Sequence, residues 1–355
     1  MNILPGASRI AGTLVLAVGL FAAPSPTQAA DDISNGQWFH TFLRTPKAHE
    51  TTNGTGITVA VLDSGVDSTH PDLSGSVLPG KDFVKTGGDG RIDLGGHGTA
   101  MAGLIAAHGR VDGIAPGAKV LPVRFTQYER GSSALLSEAI RWAAGQNVGV
   151  ISISIGLSRD DALVRQAVQE ALAKDIVIVA AVGNAPDAKA AEYPAAYPGV
   201  LAVGCVDKDG SHAAVSVVSP RVDVVAPCVG ITSTHAKHLW SITAGTSGST
   251  AITAGAAALV RSAHPELSAT QVIHRLTATA VDKGPSGRDN RYGYGVLDLV
   301  AALTAAVPAS SSPTPGSNAP HEEPVPGSST TLLLITGAVV VIGVAALVLR
   351  SRRKR

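Results

Sequence analysis

Gly245-Thr246-Ser247-Gly248-Ser249-Thr250-Ala251 stands just before a run of small residues, Ala254-Gly255-Ala256-Ala257-Ala258-Leu259-Val260, that reads as the start of a buried helix. The stretch makes Ser247 a candidate nucleophile. A serine hydroxyl is a poor nucleophile near neutral pH, so the reading requires a base and an acid to orient that base. Asp63 ends the apolar run at 57–62, and His97 lies in Gly95-Gly96-His97-Gly98-Thr99-Ala100. Taken singly, Asp63 is a strand-end turn former, His97 a loop histidine and Ser247 a helix N-cap. Their succession in the order Asp, His, Ser gives the three a joint meaning that none has alone.

Three unrelated folds build the Asp, His, Ser geometry, and only the subtilisin type has this chain order. Val61-Leu62-Asp63-Ser64-Gly65-Val66-Asp67, Gly96-His97-Gly98-Thr99 and Gly245-Thr246-Ser247 resemble the signature blocks of the subtilisin-like (subtilase, S8) serine peptidases. Ala180-Ala181-Val182-Gly183-Asn184 resembles the segment whose asparagine helps form the oxyanion hole. The resemblance extends over 54–306. It implies attack by Ser247, proton transfer by His97, orientation by Asp63, and stabilisation of the oxyanion by Asn184 with the Ser247 backbone N–H. It also implies that Ser154, Ile155 and Gly156 pair with substrate backbone by strand addition. Ala181, Val182 and Gly183 then form part of the pocket for the side chain before the scissile bond, and small walls point to an uncharged side chain there. Gly131 and Ser132 are read as the opposing edge, and His70 as structural. Ser249, Thr250 and Ala251 depart from the alanine-then-proline pattern that the family shows after its nucleophile, which bears on the packing of the helix start. No metal site and no cofactor are expected. No calcium-loop motif is recognised, and structural calcium stays open.

The hydrophobic pattern predicts a doubly wound α/β fold, with a mostly parallel sheet and helices on both faces. Strands are expected at 57–62, 120–125, 148–155, 176–182, 200–206 and 222–226, with continuous apolar runs suited to a sheet covered on both sides. Helices are expected at 99–108, 133–146, 160–174, 247–262, 267–279 and 297–304.

Lysine plus arginine number 28 and aspartate plus glutamate 27, so no electrostatic footprint for nucleic acid is present. The termini suggest export. An apolar core within 10–23, followed by Thr27-Gln28-Ala29, reads as a signal peptide at 1–29. The extension at 30–53 is too short to bury a core of its own, and Trp38, Phe39, Phe42 and Leu43 are expected to strap onto the main domain. After the peptidase domain at 54–306, the Pro/Ser-rich stretch at 307–331 reads as a linker. The uncharged stretch at 332–349 reads as a single transmembrane helix, and 350–355 as a basic cytoplasmic tail. This arrangement predicts a single-pass type I protein of the cell membrane, with the bilayer as a partner and the peptidase domain extracytoplasmic. Cys205 and Cys228 fit an oxidising compartment, where a pair is more often bridged than free; two buried thiols are the alternative.

The layout resembles the mycosins, subtilases associated with type VII secretion in actinobacteria. That resemblance implies a membrane-anchored extracytoplasmic serine endopeptidase that cleaves exported proteins through an acyl-enzyme, with a type VII secretion membrane complex as a partner. The alternative is a structural subunit of such a complex, in which proteolysis is dispensable.

Overall fold

Strand β1, Thr58–Asp63, is buried from its second residue onward, and its successive side chains point to opposite faces. Val59 and Val61 enter one core cluster, whereas Ala60 and Leu62 enter another. The division repeats in two further strands: Val150, Val177 and Val179 join the first cluster, and Ile151, Ile153, Ile178 and Ala180 the second. A sheet with apolar layers on both sides follows. The computed structural model describes residues 33, 35–127 and 131–308.

The chain enters through two short helices, α1 (Trp38–Phe42) and α2 (Thr45–His49), before β1. Next come β2 (Lys81–Asp82), α3 (His97–Ala106), β3 (Lys119–Arg124), α4 (Ser133–Ala143), β4 (Val150–Ile153), α5 (Ala162–Leu172), β5 (Val177–Ala181), β6 (Leu201–Val206) and β7 (Val224–Pro227). A hairpin of β8 (Val229–His235) and β9 (Leu239–Ala244) leads into α6 (Thr246–Ala263), followed by α7 (Ala269–Ala278) and α8 (Leu299–Thr304). The sheet order is β2-β3-β1-β4-β5-β6-β7, with every pairing parallel. Helices α3 and α6 bury their residues in the first core cluster, and α4 and α5 in the second.

Helix boundaries follow the caps. The Asp161 carboxylate accepts from the N–H groups of Leu163 and Val164 and starts α5 at Ala162, two positions later than the apolar pattern suggests. Ser268 and Gln271 form a reciprocal capping box on α7, and Asp298 caps α8. Small residues let α6 run through the interior. A methyl group on Gly255 would lie 2.8 Å from Ile114 Cβ, closer than packed carbons approach.

The antiparallel β8–β9 hairpin adds to the expected fold, so the architecture combines a wholly parallel sheet with a separate antiparallel ribbon. Beside Ile231, the buried side chains of β8 are polar. Ser233 and Thr234 are buried and donate to the Ala100 and Thr99 carbonyls of α3, each at 2.7 Å. In the amino-terminal extension Phe39 and Leu43 are buried in the first core cluster, and Arg44 pairs with Asp298.

The membrane part of the expected fold is corrected. Among the described residues no helix is long and apolar enough to cross a membrane. The longest, α6 with 18 residues, carries Thr246, Ser247, Ser249, Thr250, Thr253 and Arg261 and is almost wholly buried among protein side chains. The segment at 332–349 lies outside the described residues, as do the signal stretch at 1–29 and the tail at 350–355. Nothing among the described residues supports the anchor, the bilayer contact, the type I topology or the cell-membrane location, and these expectations are not retained. What stands is a doubly wound α/β domain with a separate antiparallel hairpin.

Candidate active site

The end of β1 delivers Asp63 into the interior, where 1% of its side chain is exposed. Its Oδ1 accepts from His97 Nδ1 at 2.8 Å and from the Ser64 N–H at 2.7 Å. A carboxylate oxygen can only accept here, so the imidazole proton sits on Nδ1 and Nε2 carries the lone pair. His97 is the first residue of α3. Gly98 behind it is packed against the Gly65 carbonyl so closely that any side chain would collide.

A second buried carboxylate, absent from the sequence-based reading, fixes this turn. Asp93 Oδ1 accepts from the N–H groups of Gly95 (3.0 Å) and Gly96 (2.8 Å) and from Ser64 Oγ (3.0 Å). Its Oδ2 accepts from the Thr99 N–H at 2.9 Å and the Thr99 hydroxyl at 2.6 Å. Ser64 Oγ in turn accepts from the Gly98 N–H. Asp93 thus serves as the cap of α3 from four residues before His97, because Gly96 at the N-cap has no side chain to offer.

Ser247 is the second residue of α6. Its hydroxyl donates to the Ser154 carbonyl at 2.9 Å, and the Ser154 hydroxyl donates back to the Ser247 carbonyl at 3.2 Å. This reciprocal pair ties the helix start to the end of β4. Asn184 Oδ1 accepts from the Thr246 N–H (2.8 Å) and the Thr246 hydroxyl (3.0 Å). A backbone N–H can only donate, so the geometry fixes the amide orientation and leaves Nδ2 free of Thr246. Thr246 stood in the signature block of the sequence without a role of its own.

A cleft of about 720 Å³ collects these groups: His97, Ser154, Ile155, Gly156, Asn184 and Ser247 line it, together with Gly131, Met101 and the edge residues Thr243 and Ala244. Ala181, Val182 and Gly183 are not among the residues that line it, and Val182 is fully buried. Ser132 caps α4. His70 is buried, accepts from the Asp72 N–H, and bonds the Leu239 carbonyl through Nε2. The cleft also contains two carboxylates unmarked in the sequence, Asp187 and Glu192. Burial, reinforced by the neighbouring Asp187 charge, holds the Glu192 carboxyl above the usual glutamate range. Away from the cleft, Cys205 and Cys228 form a disulfide with a Cα–Cα distance of 5.6 Å. Among the described residues no group of three or more His, Cys, Asp or Glu side chains is placed to hold a metal ion.

A hydroxyl, an imidazole with its proton fixed on the far nitrogen, a buried carboxylate and a side-chain amide therefore share one site. The family model described as the subtilase family matches residues 54–295. The chain belongs to the subtilases. Subtilisin BL of Lederbergia lenta is 36% identical over 270 residues, which span 75% of this subtilase and 97% of that protein. Subtilisin E of Bacillus subtilis (strain 168) is 36% identical over 268 residues, 73% of this subtilase and 69% of that protein. Among solved structures, MycP1 from Mycobacterium smegmatis matches with a TM-score of 0.66 at 30% identity, covering 76% of this subtilase and 85% of that chain. The MycP3 protease from the type VII (ESX-3) secretion system matches with a TM-score of 0.67 at 31% identity, covering 76% and 88%. This subtilase is a serine peptidase similar to the mycosins. The earlier description as a membrane-anchored member is narrowed to that statement, since no membrane-spanning helix is present among the described residues.

Proposed function

We propose that this subtilase cleaves exported polypeptides through an acyl-enzyme on Ser247. The observation that carries the reading is the 2.8 Å bond from His97 Nδ1 to buried Asp63, on an imidazole that lines the same cleft as Ser247. Ser247 Oγ attacks the scissile carbonyl carbon while His97 Nε2 takes the hydroxyl proton. The carbonyl oxygen becomes an oxyanion, which accepts from Asn184 Nδ2 and the Ser247 N–H. His97 then passes its proton to the leaving amine as the C–N bond breaks, and Ser247 holds the acyl group. Water, deprotonated by His97, attacks the ester and releases the new carboxylate. Asp63 stabilises the imidazolium at each transfer.

Two structural neighbours, the MycP3 protease at 31% identity and a MycP1 serine protease at 33%, belong to type VII secretion systems. That likeness favours proteins exported through such a system as substrates and its components as partners. Labelling of the full chain by a fluorophosphonate probe tests the chemistry without knowledge of a substrate. Wild-type protein should label, and Ser247→Ala and His97→Ala should not. An unlabelled wild type of native circular dichroism would overturn the reading.

A further inference from the structure

Glu192 lines the cleft, and Tyr193 follows it in the chain. The Glu192 N–H donates to the Val182 carbonyl at 3.0 Å, and Tyr193 exchanges two backbone bonds with Leu157, at 2.9 and 2.7 Å. Leu157 follows the Ile155-Gly156 wall, and Val182 follows β5, so these two residues bridge both walls. The Glu192 side chain runs back between the walls. A methyl group on Gly156 would lie 2.5 Å from Glu192 Oε2, and one on Gly183 3.1 Å from the same oxygen. The two glycines therefore leave room for a carboxylate where the sequence suggested small uncharged walls. Glu192 is half-buried, and no ion pair among the described residues neutralises it or Asp187.

We infer that Glu192 sets the specificity of the cleft, favouring arginine or lysine as the residue on the amino side of the scissile bond. The inference rests on the proposed function, since it brings that side chain into the cleft toward Glu192 while its carbonyl meets Ser247 and Asn184. A guanidinium or ammonium group reaching Glu192 forms a charge-assisted hydrogen bond in a partly desolvated site. It also offsets the burial and like-charge repulsion that hold this carboxyl above its usual range. A leucine in the same place leaves the carboxylate buried and unpaired.

The test uses full-length protein and matched fluorogenic peptides that differ only at this residue: arginine, lysine, leucine, alanine or glutamate. Wild type should favour arginine or lysine over leucine in kcat/KM by roughly 10- to 100-fold, the range for a hydrogen bond to a charged group. Glu192→Gln should bring that ratio to within about threefold of unity, and Glu192→Lys should make glutamate the best of the series. Ratios are taken within each variant, so a lower fraction of folded enzyme cancels. A wild type that prefers leucine or alanine, or a ratio unchanged in Glu192→Gln, overturns the inference. Binding of product peptides ending in arginine or leucine to Ser247→Ala gives the same ratio without turnover. Failure of fluorophosphonate labelling therefore strikes the proposed chemistry alone, whereas equal binding of both peptides strikes the role of Glu192.

Discussion

Asp93 offers the sharpest test of how the fold positions His97. Five donors converge on it: three backbone N–H groups, from Gly95, Gly96 and Thr99, and the hydroxyls of Ser64 and Thr99. Asp93→Ala leaves all five without their acceptor. Each bond to a charged group contributes about 1.5–3 kcal/mol, but bonds sharing one acceptor are far from additive, and the hydroxyls can turn elsewhere. The three N–H groups cannot turn, so the expected loss is about 3–5 kcal/mol. Asp93→Asn is milder. Its oxygen can retain Gly95, Gly96 and Ser64, and its amide can donate to the Thr99 hydroxyl, leaving the Thr99 N–H as the one orphan at about 1–3 kcal/mol. Urea unfolding gives the stabilities, and the second-order rate of fluorophosphonate labelling gives the state of the His97–Ser247 pair. Both variants should label more slowly than wild type, alanine the slower, because the turn that Asp93 fixes opens α3 at His97. A loss below about 1 kcal/mol in Asp93→Ala, less than one net hydrogen bond, with unchanged labelling would refute the argument.

Asn184→Ala should lower kcat by about 10²–10³ with little change in KM, since the lost donor meets charge only in the transition state. Thr246→Val, which removes one of the two donors orienting Asn184, should lower kcat by roughly 5- to 10-fold, the worth of one neutral hydrogen bond, with KM again steady. Cys205→Ser with Cys228→Ser opens a crosslink of sequence separation 23 and should cost about 3 kcal/mol in urea unfolding. The ratio of kcat/KM for arginine over leucine peptides should climb with pH: Glu192, held above the ordinary range by burial and by Asp187, is neutral below its titration and anionic above it. His97 and Asp187, the other titratable side chains lining the cleft, act on both substrates or add negative charge, so a ratio that falls as pH rises would contradict the assignment.

The parts of this fold legible in the sequence are those in which a local pattern and a tertiary demand coincide. Strands β1, β4 and β5 are apolar on both faces because both faces are covered, and this produces continuous runs that need no knowledge of neighbours. The hairpin β8–β9 breaks that rule. Beside Ile231 it buries Thr232, Ser233 and Thr234, and the hydroxyls of the last two are satisfied far away in the chain, at Ala100 and Thr99. Hydroxyls satisfied at such a distance look like loop residues until the partner is known. The site divides in the same way. Asp63, His97, Ser247 and Asn184 each sit within a short motif, whereas Asp93 and Thr246 act through groups that only folding brings to them. Glu192 lies furthest from any motif. Its place in the cleft comes from backbone bonds to Val182 and from the pairing of Tyr193 with Leu157, and its room comes from two missing side chains at Gly156 and Gly183. Small residues in a wall were read as leaving the pocket uncharged. In the folded chain they leave room for a carboxylate, which the composition of the wall alone does not reveal.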